Sequence, residues 1–248
     1  MAKIKASGVL RAGVKADKPG YSAKTIDGKY VGMDVDIVEM IAQALGIPQD
    51  KIQFTEVTSE NREIMLEQNK VDVVAASYGI KPGPAKVVTF AGPYAENPNA
   101  VMVEAGNPEK IAQFSDLNGK RVCATAGSTI VPALQAFAPG LIQVGLQAAA
   151  DCATALQNHQ VDAVAVDTAT LMGFANATPG KFVVLTNLPE FGTQSTGVAV
   201  QKGQADFCEF IDGVLQENWN SGVFQKDWND TLAPSIGAPR PLQFIPCL

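Results

Sequence analysis

Residues 71–94 read VDVVAASYGIKPGPAKVVTFAGPY, an apolar run that empties into a polar, Gly/Pro-rich turn before a second apolar stretch closes on Tyr94. Short runs rich in Val and Ala and bounded by turn residues are typical of strands buried in a parallel sheet, and open α/β sheets bind ligands outside the carboxyl ends of their strands. The turn after this strand is therefore read as a ligand-binding rim, with Ser77, Tyr78, Gly79 and Lys81 facing the site.

The rest of the chain repeats the alternation of strand and helix, which argues for parallel sheets covered by helices. A strand is expected over Val9–Lys15. A helix follows from Asp34 to Leu45, with Ile37, Met40, Ile41, Ala44 and Leu45 at helical spacing and Gly46 and Pro48 to stop it. Strand 52–57, a helix from Ser59 to Asn69 and the strand at Val71 complete the first series. A second series begins after Gly106: strand 121–124, helix 130–137, strand 141–144, helix 149–158, strand 162–166, helix 169–177 and strand 182–185. Short extended segments at 101–103 and 198–200 stand at the joins, and helices near 205–220 and 223–232 precede a Pro-rich tail. Two crossings make a hinge, so the expected organisation is a discontinuous lobe 1 (1–103 and 198–248) and a continuous lobe 2 (104–197).

A chain of 248 residues is long enough to bury two such cores. Its 19 Lys+Arg against 25 Asp+Glu leave a net charge of -6, with no basic run longer than two residues, which argues against nucleic acid as a partner. No apolar stretch reaches the length of a membrane span, and the start lacks the pattern of a signal peptide. The opening Met-Ala-Lys fits either a native start or an initiator placed after a removed signal.

The four cysteines, Cys123, Cys152, Cys208 and Cys247, contain no C-x-x-C pair, so neither a zinc ribbon nor a dithiol redox site is indicated. Two disulfides are expected. Cys123 lies on a strand shortly before a helix holding Cys152, and the other two share the last part of the chain, which favours Cys123–Cys152 and Cys208–Cys247. A closed loop of about 30 residues would contribute about 3.5 kcal/mol. Buried free thiols are the alternative.

Six fragments recur in the order seen in a known family: GVKADKPGY (13–21), GMDVDIVEMIAQALG (32–46), VTSENR (57–62), FAGPY (90–94), DLNGKRVCATAGST (116–129) and VDAVAVDTATL (161–171). Together they make the chain resemble the family 3 solute-binding proteins, the polar amino-acid receptors of ABC transporters, and most closely the glutamate-type receptors of actinobacteria. The resemblance implies an α/β fold of the type II periplasmic-binding-protein kind, a two-lobed clamshell that closes on its ligand. It further implies an extracytoplasmic monomer, periplasmic or a cell-surface lipoprotein, that hands a small solute to ABC permease subunits without cofactor, metal or membrane span of its own. In that branch a cysteine pair matches Cys123 and Cys152.

By position, Asp167 matches the carboxylate that receives the ligand α-amino group, Thr129 a contact to the α-carboxylate, and Asp17, with Tyr21 close by, the side-chain end of the ligand. A helix start offers unpaired N–H groups to an anion, although Thr129 is equally placed for N-capping, and Asp167 for capping the helix that follows it. The family turn usually reads like T-x-T-I-T-x-x-R, its arginine forking onto the ligand carboxylate. Here Gly79 stands for the second Thr and Pro84 for the arginine. Either Arg62 or Lys81 replaces the lost cation, or the ligand carries no free carboxylate there; Arg62, beside Glu60 and Glu63, reads equally as a surface residue. The segment 194–197, Gln-Ser-Thr-Gly where the family often has E-P-Y-G, carries Thr196 as a further candidate contact. With Asp17 and Asp167 acidic and Tyr21 and Tyr78 able to face a cation, the pattern leans to a cationic or zwitterionic ligand.

An enzyme of the cyclohexadienyl-dehydratase kind on the same fold is the competing reading, with Asp17, Asp167 and Glu96 as its acids. The single histidine, His159, lies in a polar helix-end stretch, and no G-x-S-x-G, H-E-x-x-H or P-loop pattern occurs. The sequence therefore favours a non-enzymatic receptor. A non-transport sensor shares the fold.

Overall fold

The computed structural model describes residues 1–189 and 191–247. In chain order the elements run α1 (Ala2–Ser7), β1 (Leu10–Val14), β2 (Asp17–Lys18), β3 (Ser22–Lys24), β4 (Tyr30–Val31), α2 (Met33–Ala44), β5 (Ile52–Glu56), α3 (Arg62–Glu67) and β6 (Val73–Val74). They continue with β7 (Val88–Glu104), β8 (Arg121–Thr125), α4 (Ile130–Gln135), β9 (Ile142–Leu146), α5 (Ala149–Gln157), β10 (Ala163–Asp167) and α6 (Thr168–Ala177). The last are β11 (Phe182–Val184), β12 (Thr193–Gln201), α7 (Ala205–Ser221), α8 (Val223–Thr231) and α9 (Ala233–Ile236).

Contacts divide the chain into two compact units: unit 1 is Met1–Ala16, Gly20–Glu96 and Ser195–Leu248, and unit 2 is Asp17–Pro19 with Asn97–Gln194. Apart from the short excursion of 17–19, the chain passes from one to the other at 96/97 and 194/195, inside the strands β7 and β12, where the sequence places the joins at 103/104 and 197/198. Those joins are not short extended segments. β7 holds 17 residues and β12 holds 9. Gly92, Pro93, Pro98 and two asparagines interrupt the apolar pattern of β7 and hide its length from a reading of composition.

In unit 1, β1 is flanked by parallel partners, β5 from Leu10↔Ile52 to Val14↔Glu56 and β6 at Ala12↔Val73. β12 lies antiparallel beside β6 at Ala199↔Val74. α2 covers this sheet because its apolar residues recur at helical spacing: Met33, Ile37, Val38, Met40 and Ile41 are buried. Its N-cap is Gly32 at φ 120°, where a Cβ would stand 2.5 Å from the Tyr21 carbonyl oxygen, so only glycine fits.

In unit 2, β10 sits between parallel β8 (Ala163↔Val122) and antiparallel β7 (Val164↔Met102); β9 extends the sheet beside β8, and β11 pairs with β7. Its core includes Met102, Val122, Leu134, Leu156, Val164 and Leu171, and contains the bond between Cys123 on β8 and Cys152 on α5 (Cα–Cα 5.6 Å). In unit 1 the second bond joins Cys208 on α7 to Cys247 in the tail (Cα–Cα 5.8 Å). Both expected pairings are present.

One device occurs in both units. Arg11, on β1, donates through Nε and Nη2 to Asp72 before β6 and through Nη1 to the Asn69 carbonyl. Arg121, on β8, donates likewise to Asp162 before β10 and to the His159 carbonyl. Asn69 and His159 both take left-handed backbone, at φ 54° and 56°, just past a helix end. His159 is thus a helix-terminating residue whose carbonyl is clamped by arginine.

Candidate functional site

The rim of unit 1 follows β6. Ser77 adopts φ 47°, and its N–H donates to the fully buried Asp34 at 2.9 Å. Asp34 also accepts from the Ser22 hydroxyl at 2.9 Å and from the Tyr94 hydroxyl. The next residues are stitched to β12: Gly79 bridges Thr196, Ile80 N–H donates to the Ser195 carbonyl at 2.7 Å, and Gly197 N–H to the Tyr78 carbonyl at 3.0 Å. A Cβ on Gly197 would meet the Ala91 carbonyl oxygen at 2.6 Å, so this strand requires a glycine there.

Tyr78 lies beneath the Arg62 guanidinium, whose Cζ stands 3.4 Å from the ring centroid, and its hydroxyl donates to Glu63 at 2.6 Å. Phe90 supports the same ring edge-on at 4.7 Å. Arg62 is only 6% exposed, and its Nε has no hydrogen-bond partner among the described residues. Burial lowers its proton affinity, opposed by Tyr78 and Glu63, yet a guanidinium keeps its charge. Burial likewise pushes the Tyr78 phenol above its ordinary value, so the ring stays neutral. The hydroxyl of Thr196, fully buried, is also without a hydrogen-bond partner among the described residues. The unit 1 rim therefore presents a fixed cation on an aromatic platform and an unsatisfied hydroxyl. Helix α3 starts at Arg62, not Ser59, because Thr58 and Asn61 cross-bond, Thr58 N–H to Asn61 Oδ1 and Asn61 N–H to Thr58 Oγ1, in the preceding turn.

The remaining unit 1 candidates are less exposed to any ligand role. Lys81 is half-buried, and its carbonyl accepts from Ala85 N–H. Tyr21 is fully buried, and its carbonyl accepts from Asp34 N–H, which fits packing. Pro84, in the arginine's position, begins a short 3-10 turn.

In unit 2 the carboxylate of Asp167 is fully buried at the end of β10. Its Oδ1 accepts from Asn97 Nδ2 at 3.0 Å and Thr170 N–H at 2.9 Å; its Oδ2 accepts from Lys18 Nζ at 2.8 Å and the Thr170 hydroxyl at 3.0 Å. It caps α6, one of the two roles expected of it, and it pairs with a buried lysine that the motifs did not single out. Asp17 accepts from the N–H groups of Ala149 and Ala150 at the start of α5. Both acidic groups behind the expectation of a cationic ligand are thus engaged within unit 2. Thr129 occupies the N-cap of α4 without making a side-chain cap bond, and Thr125, at the end of β8, buries a hydroxyl without a hydrogen-bond partner among the described residues.

The groups nominated for catalysis are structural. Besides Asp17 and Asp167, Glu96 pairs with Arg240 at 3.2 Å; His159, read from the sequence as a surface helix-end residue, lies 3.1 Å from Glu104 with 72% of its side chain exposed.

Two α/β units joined through long strands, each with a strand-end rim that offers binding groups, have the make-up of a solute-binding protein. The chain belongs to the bacterial extracellular solute-binding proteins, family 3, which it matches over residues 10–228. It is 27% identical over 252 residues to the glutamate-binding protein GluB of Corynebacterium efficiens, covering 96% of this chain and 85% of that one. It is 32% identical over 228 residues to the ABC transporter glutamine-binding protein GlnH of Bacillus subtilis, covering 91% and 82%. Among solved structures it resembles the solute receptor for L-cysteine of Neisseria gonorrhoeae, with TM-score 0.86, 29% identity and coverage of 95% and 94%. These relatives are named as binding proteins, and the chain shares with them the role of a solute-binding protein. Family members are extracytoplasmic; among the described residues no helix is long and apolar enough to cross a membrane.

Proposed function

We propose that the protein captures a small carboxylate-bearing solute, an amino acid or an amino-acid-like acid, for import, and that Arg62 replaces the arginine lost at Pro84 as the group that holds the carboxylate. The protein works as a monomer, free or lipid-anchored outside the cytoplasm, that delivers its solute to ABC permease subunits. The observation that carries this reading is the Arg62 guanidinium: it is buried, stacked on Tyr78, and has an Nε without a hydrogen-bond partner among the described residues. A buried charged group with an unsatisfied N–H is costly, and an anionic ligand relieves that cost. Thr196 Oγ1 and Gly79 stand on the same rim as further contacts.

A thermal-shift screen of amino acids and related acids, followed by calorimetric titration of the best, tests the reading, since a ligand that binds only the folded state raises Tm. Arg62→Met should weaken binding by about 30-fold to several thousand-fold, the cost of removing one partner of a buried charge pair. Lys81→Met should change it by less than about 3-fold, since a half-buried lysine is screened by solvent far more than the buried Arg62. The reverse ranking would transfer the role to Lys81.

A further inference from the structure

The Lys18–Asp167 pair of unit 2 bears on which acids the receptor binds, and its meaning rests on the proposed function. A carboxylate offers about four acceptor positions. In Asp167 four donors fill them, two on each oxygen: Asn97 Nδ2 and Thr170 N–H on Oδ1, Lys18 Nζ and the Thr170 hydroxyl on Oδ2. Asp167 is fully buried and the Lys18 side chain is 8% exposed, so the pair is formed away from water. Lys18 is held in place from both sides along the chain. Asp17 is tied to the first N–H groups of α5, and Pro19 packs against Gly173 of α6, where a Cβ would stand 2.4 Å from the proline ring.

We infer that Lys18 is a built-in ammonium that fills the place a ligand ammonium would take on Asp167, so that the receptor selects carboxylic acids bearing a hydroxyl, an oxo group or a second carboxylate in place of an α-amine. Two consequences of charge support this. A ligand ammonium approaching Asp167 meets a neutral pair with no acceptor left and must displace Lys18, leaving a second buried cation beside it. A hydroxyl, carbonyl or carboxylate oxygen meets instead an ammonium that has three N–H donors and, among the described residues, only Asp167 as hydrogen-bond partner.

The test uses matched probes that differ at one carbon: L-glutamate against 2-hydroxyglutarate and 2-oxoglutarate, and L-glutamine against their monoamides, titrated by calorimetry into wild type and Lys18→Met. Wild type should bind the hydroxy or oxo acid at least 10-fold more tightly than the matching amino acid. Lys18→Met exposes a carboxylate acceptor, so it should lose about 10- to 100-fold for the hydroxy or oxo acid and gain at least 10-fold for the amino acid. Because that variant leaves Asp167 without its counter-ion, Lys18→Met/Asp167→Asn, which removes both charges, serves as a second variant. It should lose the hydroxy-acid preference without gaining the amino acid. Wild type binding amino acids more tightly than their hydroxy and oxo counterparts would overturn the role of Lys18 and leave the receptor reading intact. Binding of neither series by wild type and both variants would overturn both.

Discussion

Asp34 shows how much of the unit 1 rim depends on one side chain. Three donors converge on its fully buried carboxylate: the Ser22 hydroxyl, the Ser77 N–H and the Tyr94 hydroxyl. The Ser77 bond fixes a left-handed residue at the head of the rim, a conformation that costs free energy unless the surroundings impose it. In Asp34→Asn one acceptor oxygen becomes an NH2 group facing donors, and hydrogen bonds to a charged group count for about 1.5–3 kcal/mol each. The expected loss is about 2–4 kcal/mol in urea unfolding, accompanied by weaker ligand binding as the rim relaxes. A loss below about 1 kcal/mol would show that the network is not what holds Ser77. Asp34 illustrates where the sequence stops being legible. Within GMDVDIVEM it reads as a first-turn acid suited to the helix dipole, because the groups that bury it lie 12, 43 and 60 residues away. The same holds for Arg62. Its neighbours Glu60 and Glu63 suggest a surface, and only the fold brings Tyr78 beneath it. Lys18 gave no signal, since its partner is 149 residues distant. Ser77 and Tyr78 are marked as candidates by their strand-end position, and Asp167 by the family resemblance.

Elements were legible wherever the apolar period was complete. Helices α2, α5, α6 and α7 lie within a residue or two of their expected bounds, whereas α3 is shorter and β7 far longer, each for a local reason that periodicity does not carry: cross-bonded turn residues in one, prolines in the other. Packing between elements also sets a titration. Asp36 on α2 lies near Glu39 on the same helix and faces Asp227, Asp230 and Lys226 of α8. Burial, then repulsion from Asp227 and Glu39, pushes its carboxyl up to about 7, with Lys226 opposing. In the unfolded chain it titrates near about 4. Between these values the folded protein holds the proton and the unfolded chain does not, so stability falls as pH rises through that window. Since Asp36 is partly exposed, screening limits the effect to about 1–2 kcal/mol. Asp36→Asn should leave Tm unchanged at pH 4, raise it by about 2–6 °C at pH 8, and flatten the profile between. A profile identical to wild type would place the titration elsewhere.

At the scale of the whole molecule, each unit carries its own core and its own disulfide, and both units use the same arginine–aspartate clamp, Arg11–Asp72 and Arg121–Asp162. The duplicated clamp gives physical content to the repeated strand–helix order of the sequence, since in both an arginine on one strand locks the turn that feeds its neighbour. The disulfides act differently on the two units. Cys123–Cys152 closes a separation of 29 residues inside the continuous stretch of unit 2, while Cys208–Cys247 closes 39 residues and ties the irregular tail back onto α7. Chain entropy assigns them about 3.5 and about 4 kcal/mol, contributions that persist in the oxidising surroundings of an extracytoplasmic protein. The tail keeps other anchors: Ile245 N–H on the Gly92 carbonyl at 2.9 Å and Arg240 on Glu96. Removing its bond should therefore cost less than the entropy figure, about 2–3 kcal/mol, whereas the bond inside the unit 2 core should cost about 3–4 kcal/mol. Because the two bonds share no partner residues, the losses should add. The Cys123→Ser/Cys152→Ser and Cys208→Ser/Cys247→Ser pairs and their quadruple combination, unfolded in urea, should sum within about 0.5 kcal/mol. A coupling above about 1 kcal/mol would mean that the stability of one unit depends on the other, and the two cores would then have to be treated as one cooperative structure.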